Sequence, residues 1–355
     1  MRILVGVGHP KHVHIRKNIV HNLENDGHEV KILAWAKDLA IYLLNFYGFE
    51  YEIVGKNYKG LAKKAYGMLM SDLNVLRVAK KFKPDILAWG GPYLAHVSKL
   101  IGKPHIGFTD TEHAGLANWL SNPFSDVIVT PACYKGKINP KKHVTYNGYE
   151  ELTYLHPNYF KPDPAVLDDL GLDKNDRYII LRFVSWQASH DIGEHGFELT
   201  DLRSYIRELE NYGKVFITSE AGLEDDFEKY KIKVPPEKMH DLLYYATMYI
   251  GEGAAMATEA GILGTPSIYV SSLVGTMGNF EELEKRYGLV YAFQNSTFAL
   301  EKALEVLDIT NIKEKWRKKR EKLLEEKIDV TKFMTEFIEN YPQSFEEYRT
   351  KVRNV

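Results

Sequence analysis

The feature that most narrows the fold of this chain is an alternation of short apolar runs with amphipathic stretches, gone through twice. In the first half the runs are Ile3–Val7, Glu29–Ala34, Tyr51–Val54, Asp85–Trp89, His105–Phe108 and Asp126–Thr130. They are rich in Val, Ile, Leu and Phe and bounded by Gly, Pro or Asp, as buried parallel strands are. Helical patterns lie between them at His14–Asp26, Lys37–Tyr47, Leu61–Lys81 and Tyr93–Ile101. In the third, Leu61, Ala65, Met68, Leu69, Leu73 and Leu76 recur at helical spacing. From Thr145 to Asp176 the period is lost in Tyr, Asn, Asp and Pro, which reads as a linker. A second series follows, with strands at Tyr178–Phe183, Lys214–Ser219, Lys231–Val234, Met248–Gly251, Ser267–Val270 and Leu289–Ala292. Its helices are Leu199–Asn211, Pro236–Ala246, Ala254–Leu263 and Asn279–Tyr287. The expectation is an α/β protein of two Rossmann-like domains, 1–160 and 161–335, with a helix over 336–355 packing back on the first. Open sheets of this kind bind ligands at the carboxyl ends of their strands, so two would face a central cleft.

The totals agree. A chain of 355 residues exceeds one ordinary core and fits two domains of about 150 to 180 residues. Hydrophobic residues make up 45% and aromatic residues 12%, a globular composition. Lys+Arg is 46 against Asp+Glu 48, which excludes a general nucleic-acid binder, because that affinity is driven by basic charge. The lone Cys133 cannot form an internal disulfide, and no Cys/His cluster has zinc-like spacing. No metal or organic cofactor is therefore expected. The opening MRILVGVG runs straight into a strand without a signal-peptide pattern, and no apolar run is of membrane-spanning length. A cytoplasmic protein is expected.

The segment Glu252–Pro266, EGAAMATEAGILGTP, follows an expected strand. A strand leading through small residues into a helix presents backbone N–H groups at the helix's positive end. Gly253, Ala254 and Ala255 would let a phosphate approach them, and Glu259, one to two turns on, would accept hydrogen bonds from a ribose diol. The other reading is that small residues let the helix pack closely on the sheet. The segment resembles the nucleotide-binding motif of GT-B-fold proteins, particularly UDP-N-acetylglucosamine 2-epimerases. These carry an acidic residue, Ser-Gly-Gly, a Glu-Ala pair and Gly-x-Pro. Glu252, Gly253-Ala254-Ala255, Glu259-Ala260 and Gly264-Thr265-Pro266 match without a gap, with Gly253 in the serine's place. The resemblance implies diphosphate on Gly253–Ala255 and ribose on Glu259. Over its whole length the chain is similar to domain-of-unknown-function family 354, an archaeal and bacterial family of about this length, and the relationship implies GT-B architecture.

Gly6 and Gly8 begin like a dinucleotide fingerprint, but Lys11 stands where the third Gly belongs, so a nicotinamide or flavin site is not indicated. The loop GVGHPKHVHIRK resembles the N-terminal loop of GT-B glycosyltransferases. That resemblance makes His12 the general base for an acceptor hydroxyl, oriented by Asp110; the bland reading is that His12 and His14 pack the helix start. In the matching loop of the second domain, Arg182 and Ser185 suit pyrophosphate oxygens. HDIGEH, 190–195, lacks helical metal spacing and reads as a polar loop. TDTEHAGL resembles the epimerases' His-x-Glu-Ala-Gly-Leu, yet Glu112 aligns with their catalytic acid only if His113 is an insertion. Their Glu-Glu-Asn-Arg and His-Arg motifs are missing. Residues 56–83 carry Lys56, Lys59, Lys63, Lys64, Arg77, Lys80, Lys81 and Lys83 against one acid, Asp72. This is either a basic helix face or a peripheral contact with the inner face of the membrane. The expected function is a glycosyltransferase using a nucleotide-diphosphate sugar, UDP favoured, with a lipid-linked or glycan acceptor, in surface glycan or glycolipid synthesis. Alternatives are a 2-epimerase-like enzyme and a non-catalytic nucleotide-sugar binder.

Overall fold

The computed structural model describes residues 1–56, 61–183, 199–219 and 225–353. The chain forms two compact units, one of residues 1–159 with 328–355, the other of residues 160–327. In the first, β1 (Arg2–Val7), β2 (Glu29–Ala36), β3 (Tyr51–Lys56), β4 (Ile86–Trp89), β5 (His105–Phe108), β6 (Val127–Pro131) and β7 (His143–Tyr146) form one sheet. The order is β3-β2-β1-β4-β5-β6-β7, and every pairing is parallel. The second unit holds β8 (Tyr178–Phe183), β9 (Lys214–Ser219), β10 (Met248–Gly251), β11 (Ser267–Val270) and β12 (Val290–Phe293). They are parallel in the order β12-β11-β10-β8-β9. Helices connect most successive strands, the expected doubly wound arrangement, while β6 and β7 are joined by a loop.

In each sheet the strand order reverses at one place, between β1 and β4 in the first and between β8 and β10 in the second. There the crossover helices diverge and leave a crevice beyond the strands' carboxyl ends. Both reversals are closed by glycine. Gly6 pairs with Trp89, and a Cβ on it would stand 2.4 Å from the Gly90 Cα. Gly251 pairs with Arg182, and a Cβ there would lie 2.6 Å from the Arg182 carbonyl oxygen.

The structure departs from the sequence reading at several points. His143–Tyr146 is a seventh strand where the linker was expected to begin; its Val144 and Tyr146 are buried while Thr145 is exposed. Lys231–Val234 contributes only a bridge from Lys231 to Ile217. Helix Ser296–Leu307, capped by the Asn295 side chain, went unassigned. The return to the first unit falls at Ile328, inside the stretch 161–335 assigned to the second domain. The reason is helix Val330–Glu339, whose Val330, Phe333, Met334, Phe337 and Ile338 are buried. It is tied to the first unit by Ile328 N–H donating to Asn147 O and Thr331 Oγ1 donating to Thr153 O.

Candidate functional site

In the second unit, Gly251-Glu252-Gly253 follows β10, and helix Ala254–Ile262 begins with Gly253 as its extended N-cap residue. Gly253 has no side chain with which to cap this helix, and Gly253, Ala254 and Ala255 are partly open. The Arg182 backbone accepts a hydrogen bond from Glu252 N–H (3.0 Å). Its side chain runs beside the turn, where a Cβ on Gly253 would meet Arg182 Cγ and Tyr249 Oη at 3.1 Å. Arg182 Nη1 donates to Thr218 Oγ1 on β9 (2.9 Å). Glycine at 251 and 253 therefore allows the close approach of Arg182 and Tyr249 to this turn. Glu259 is 5% exposed and faces the buried His240, Oε1 to Nε2 3.3 Å. His240 lies on helix Met239–Tyr245 and gave no signal in the sequence, since the contact exists only once two helices pack together. Ser185 and the 190–195 run lie outside the described residues.

In the first unit a cavity of about 380 Å³ opens at the β1/β4 reversal. Helix Pro10–Asn25 begins earlier than expected because Pro10 occupies its first turn, and the His9 side chain caps it by accepting from Lys11 N–H. His12 is therefore a first-turn residue and lines the cavity. Its Nδ1 accepts a hydrogen bond from Gly8 N–H (3.2 Å). Burial first, then the positive charge of Arg16, hold its pKa well below the usual histidine range. A neutral imidazole that accepts at Nδ1 carries its proton on Nε2. The expected pairing of His12 with Asp110 is not made. Asp110 lines the same cavity, but Oδ2 accepts from Lys11 Nζ (2.8 Å) and Oδ1 from Thr111 Oγ1 (2.8 Å). In this state His12 Nε2 is a hydrogen-bond donor, and the orientation by Asp110 expected from the sequence is not formed.

Lys11 is the hub of a buried ionic cluster. Its Nζ lies 2.8 Å from Asp110, 3.1 Å from Glu151 and 3.9 Å from Glu150. Burial works against the Lys11 charge, but the three carboxylates outweigh it and hold its pKa well above the ordinary lysine value. Burial likewise opposes ionisation of Asp110, and Lys11 overcomes it, keeping this carboxyl below its usual value. Glu150 goes the other way: burial, then the charge of Asp110, push it up to about 8.

Aromatic rings wall the cavity. Trp35 stacks on Tyr93 and Trp89 on Phe108, each with centroids 4.6 Å apart. Trp89 has φ 59, a left-handed conformation unusual for a bulky residue and of the kind found at functional sites. His105, pushed down to about 4 mainly by burial, is neutral, and its Nε2–H donates to the Trp89 carbonyl (2.7 Å), which fixes that turn. Thr109, Asp110, Thr111 and Ala114 of the TDTEHAGL run line the cavity, whereas Glu112 accepts from Lys135 N–H. Among the described residues no cluster of three His, Cys, Asp or Glu could hold a metal ion.

The family described as "Protein of unknown function (DUF354)" matches residues 1–341. No curated protein matches the chain in sequence. Solved structures match its fold across both units. The UDP-GlcNAc 2-epimerase from Neisseria meningitidis, bound to UDP-GlcNAc, is 11% identical with TM-score 0.64, covering 95% of this chain and 99% of that one. S. aureus MnaA, in a co-structure with UDP, is 11% identical with TM-score 0.65 and 98% of each chain covered. Acinetobacter baumannii MurG is 16% identical with TM-score 0.59, covering 95% and 99%. At these identities the likeness is one of fold, and the fold is GT-B: two Rossmann-like parallel-sheet units.

Proposed function

We propose that this chain, which belongs to the DUF354 family and has the GT-B fold, binds a nucleotide-diphosphate sugar on its second unit and transfers the sugar to an acceptor held by its first. The observation that carries the reading is the glycine-started helix Ala254–Ile262 at the β8/β10 reversal, with Arg182 beside it. Backbone N–H groups of Gly253, Ala254 and Ala255 suit a diphosphate. Arg182 adds a positive charge, and Ser185, which lies outside the described residues, is proposed from the sequence as a further donor. Glu259, held by His240, suits the ribose diol. UDP is favoured because the motif resembles that of UDP-sugar enzymes, and the solved structures of similar fold hold UDP and UDP-GlcNAc. In the first unit, Asp110 anchors Lys11 and His12 contributes a donor. The function is then that of a glycosyltransferase in surface glycan or glycolipid synthesis.

Thermal denaturation with UDP, other nucleoside diphosphates and their sugars tests the donor half. Ligand at a hundredfold its Kd adds about 2.7 kcal/mol of stability, so UDP-sugars are expected to raise the melting temperature by several degrees. No shift with any nucleotide at millimolar concentration would remove the reading. Inversion at C2 of UDP-N-acetylglucosamine without acceptor would replace the transferase by the epimerase-like alternative.

The acceptor fits a lipid-linked glycan, with 56–83 as the contact to an anionic membrane. On helix Leu61–Phe82, Tyr66, Leu69 and Leu73 are exposed, and so are Lys63, Arg77, Lys80 and Lys81, the mix that anionic interfaces attract. No helix among the described residues is long and apolar enough to cross a membrane. Co-sedimentation with vesicles is expected to rise with anionic lipid and to fall when Lys80 and Lys81 become Glu. Indifference to lipid charge would remove the contact.

A further inference from the structure

If His12 presents an N–H, the transfer reaction lacks a group to take the acceptor's proton. The β1/β4 cavity supplies one. Resting on the transferase reading above, the geometry points to Glu150 as the catalytic base, with Arg16, Trp89 and His12 holding the oxygens of a hydroxyl-bearing ring between the aromatic walls.

Glu150 comes from the turn after β7 and lines the cavity with His12, Arg16, Trp89 and Asp110. It is 7% exposed. Its carboxylate makes no hydrogen bond among the described residues, and its one ion pair is the long 3.9 Å contact with Lys11. Lys11 gives its short contacts to Asp110 and Glu151. The cluster thus separates its acids: one carboxylate is fixed as an anion and another is left to exchange a proton, the arrangement by which sites assign acid–base roles. The groups that bear on Glu150 come from several elements. Helix Pro10–Asn25 brings Lys11, His12 and Arg16; the loop after β5 brings Asp110; Glu151 is its chain neighbour; β7 brings Tyr146. The Tyr146 hydroxyl is buried with no hydrogen-bond partner among the described residues.

The recognition groups stand in the same cavity. Arg16 is 5% exposed; its Nη1 donates to the Gly6 carbonyl while its Nε is buried without a partner among the described residues. The guanidinium lies 5.2 Å from the Trp89 ring centroid. Trp89 Nε1 is likewise buried without a partner among the described residues. Buried donors of this kind are costly unless a ligand or water satisfies them. Donors, an exchangeable carboxyl and stacked aromatic faces together fit a ring that carries hydroxyls on its edge and apolar faces, such as a sugar. In the step itself the acceptor O–H gives its proton to the Glu150 carboxylate as its oxygen bonds to the anomeric carbon. The bond from that carbon to the β-phosphate oxygen breaks, and the nucleoside diphosphate leaves with the electron pair. Glu150 acts only when ionised, so turnover rises as pH passes through about 8.

The test compares wild type, Glu150→Gln and Glu150→Asp on a donor and acceptor pair that turns over. Glu150→Gln is expected to lower kcat at least a hundredfold, leave the donor KM unchanged and abolish the rise near pH 8; Glu150→Asp recovers part of the rate. A Gln variant within threefold of wild type, or one that keeps the pH limb, overturns the assignment of Glu150 while leaving the transferase reading standing. Absence of turnover with every nucleotide sugar overturns both. An infrared difference spectrum between pH 6 and pH 9 reads Glu150 without activity. A protonated-carboxyl band at pH 6 that vanishes by pH 9 and is absent from Glu150→Gln is expected, and lack of that band in the wild type overturns the proposal. Gln matches the neutral carboxyl in shape, so an unchanged melting temperature at pH 6 verifies that the variant folds.

Discussion

Replacing Lys11 by Met is expected to cost the first unit about 3–5 kcal/mol at pH 7, the loss typical of removing one partner from a buried ion pair. Met keeps the length of the side chain and removes the charge that Asp110 and Glu151 share at 2.8 and 3.1 Å. Asp110 would then sit buried without the cation it holds at 2.8 Å. The pH dependence has a definite sign. Lys11 has a raised pKa in the fold, so its contribution is complete below its unfolded value, about 10.5, and is lost as pH climbs through the higher folded one. Asp110 has a lowered pKa, so its contribution is present above about 3.9 and is lost as pH falls through its folded value. The penalty of Lys11→Met should therefore be largest between about pH 5 and 10 and should shrink in acid, where Asp110 takes up a proton. Denaturant unfolding of the two proteins at pH 7 and pH 3 measures it. Equal penalties at both would mean that Lys11 acts by packing alone.

How much of this was legible in the sequence depends on the range of the interaction that decides each feature. Strands such as Ile3–Val7 and Tyr178–Phe183 are apolar for local reasons, since both faces are covered by helices, and they stand where the text places them. The Gly251–Glu259 turn was readable because its requirements, small residues and then an acid, are consecutive. His143–Tyr146 was not, because four residues with a His and a Thr do not look like a strand until β6 pairs with them. The start of the first helix was missed although Pro10 signals it; the His-rich stretch drew attention to a loop instead.

The first-unit cavity was legible only in part. His12 and Asp110 do line it, but their supposed partnership was an inference from two residue types. Lys11, adjacent in sequence and bland in type, competes for Asp110 and wins because a full charge at 2.8 Å outweighs a neutral imidazole. Nothing local marks Glu150 as different from Glu151. The difference lies in which of them reaches Lys11 closely, 3.1 Å against 3.9 Å, and that is fixed by residues distant in the chain. The left-handed backbone at Trp89 is equally silent, because it depends on His105 and Phe108 from the next strand.

The second large effect is expected at Glu259. A hydrogen bond to a charged group contributes about 1.5–3 kcal/mol, and a ribose diol offers two hydroxyls to one carboxylate. Glu259→Gln keeps the shape and a polar contact for His240, so the helix pairing persists while the charge is lost. Affinity for UDP is then expected to fall roughly thirtyfold or more, about 2 kcal/mol or above. Titration calorimetry of UDP into the wild-type protein and into Glu259→Gln addresses the central claim, that the second unit holds a nucleoside diphosphate on the turn 251–259. Saturable one-to-one binding in the wild type, at least thirtyfold weaker in the variant, is the predicted result. Equal affinities in the two proteins, or no heat of binding in the wild type, would contradict it.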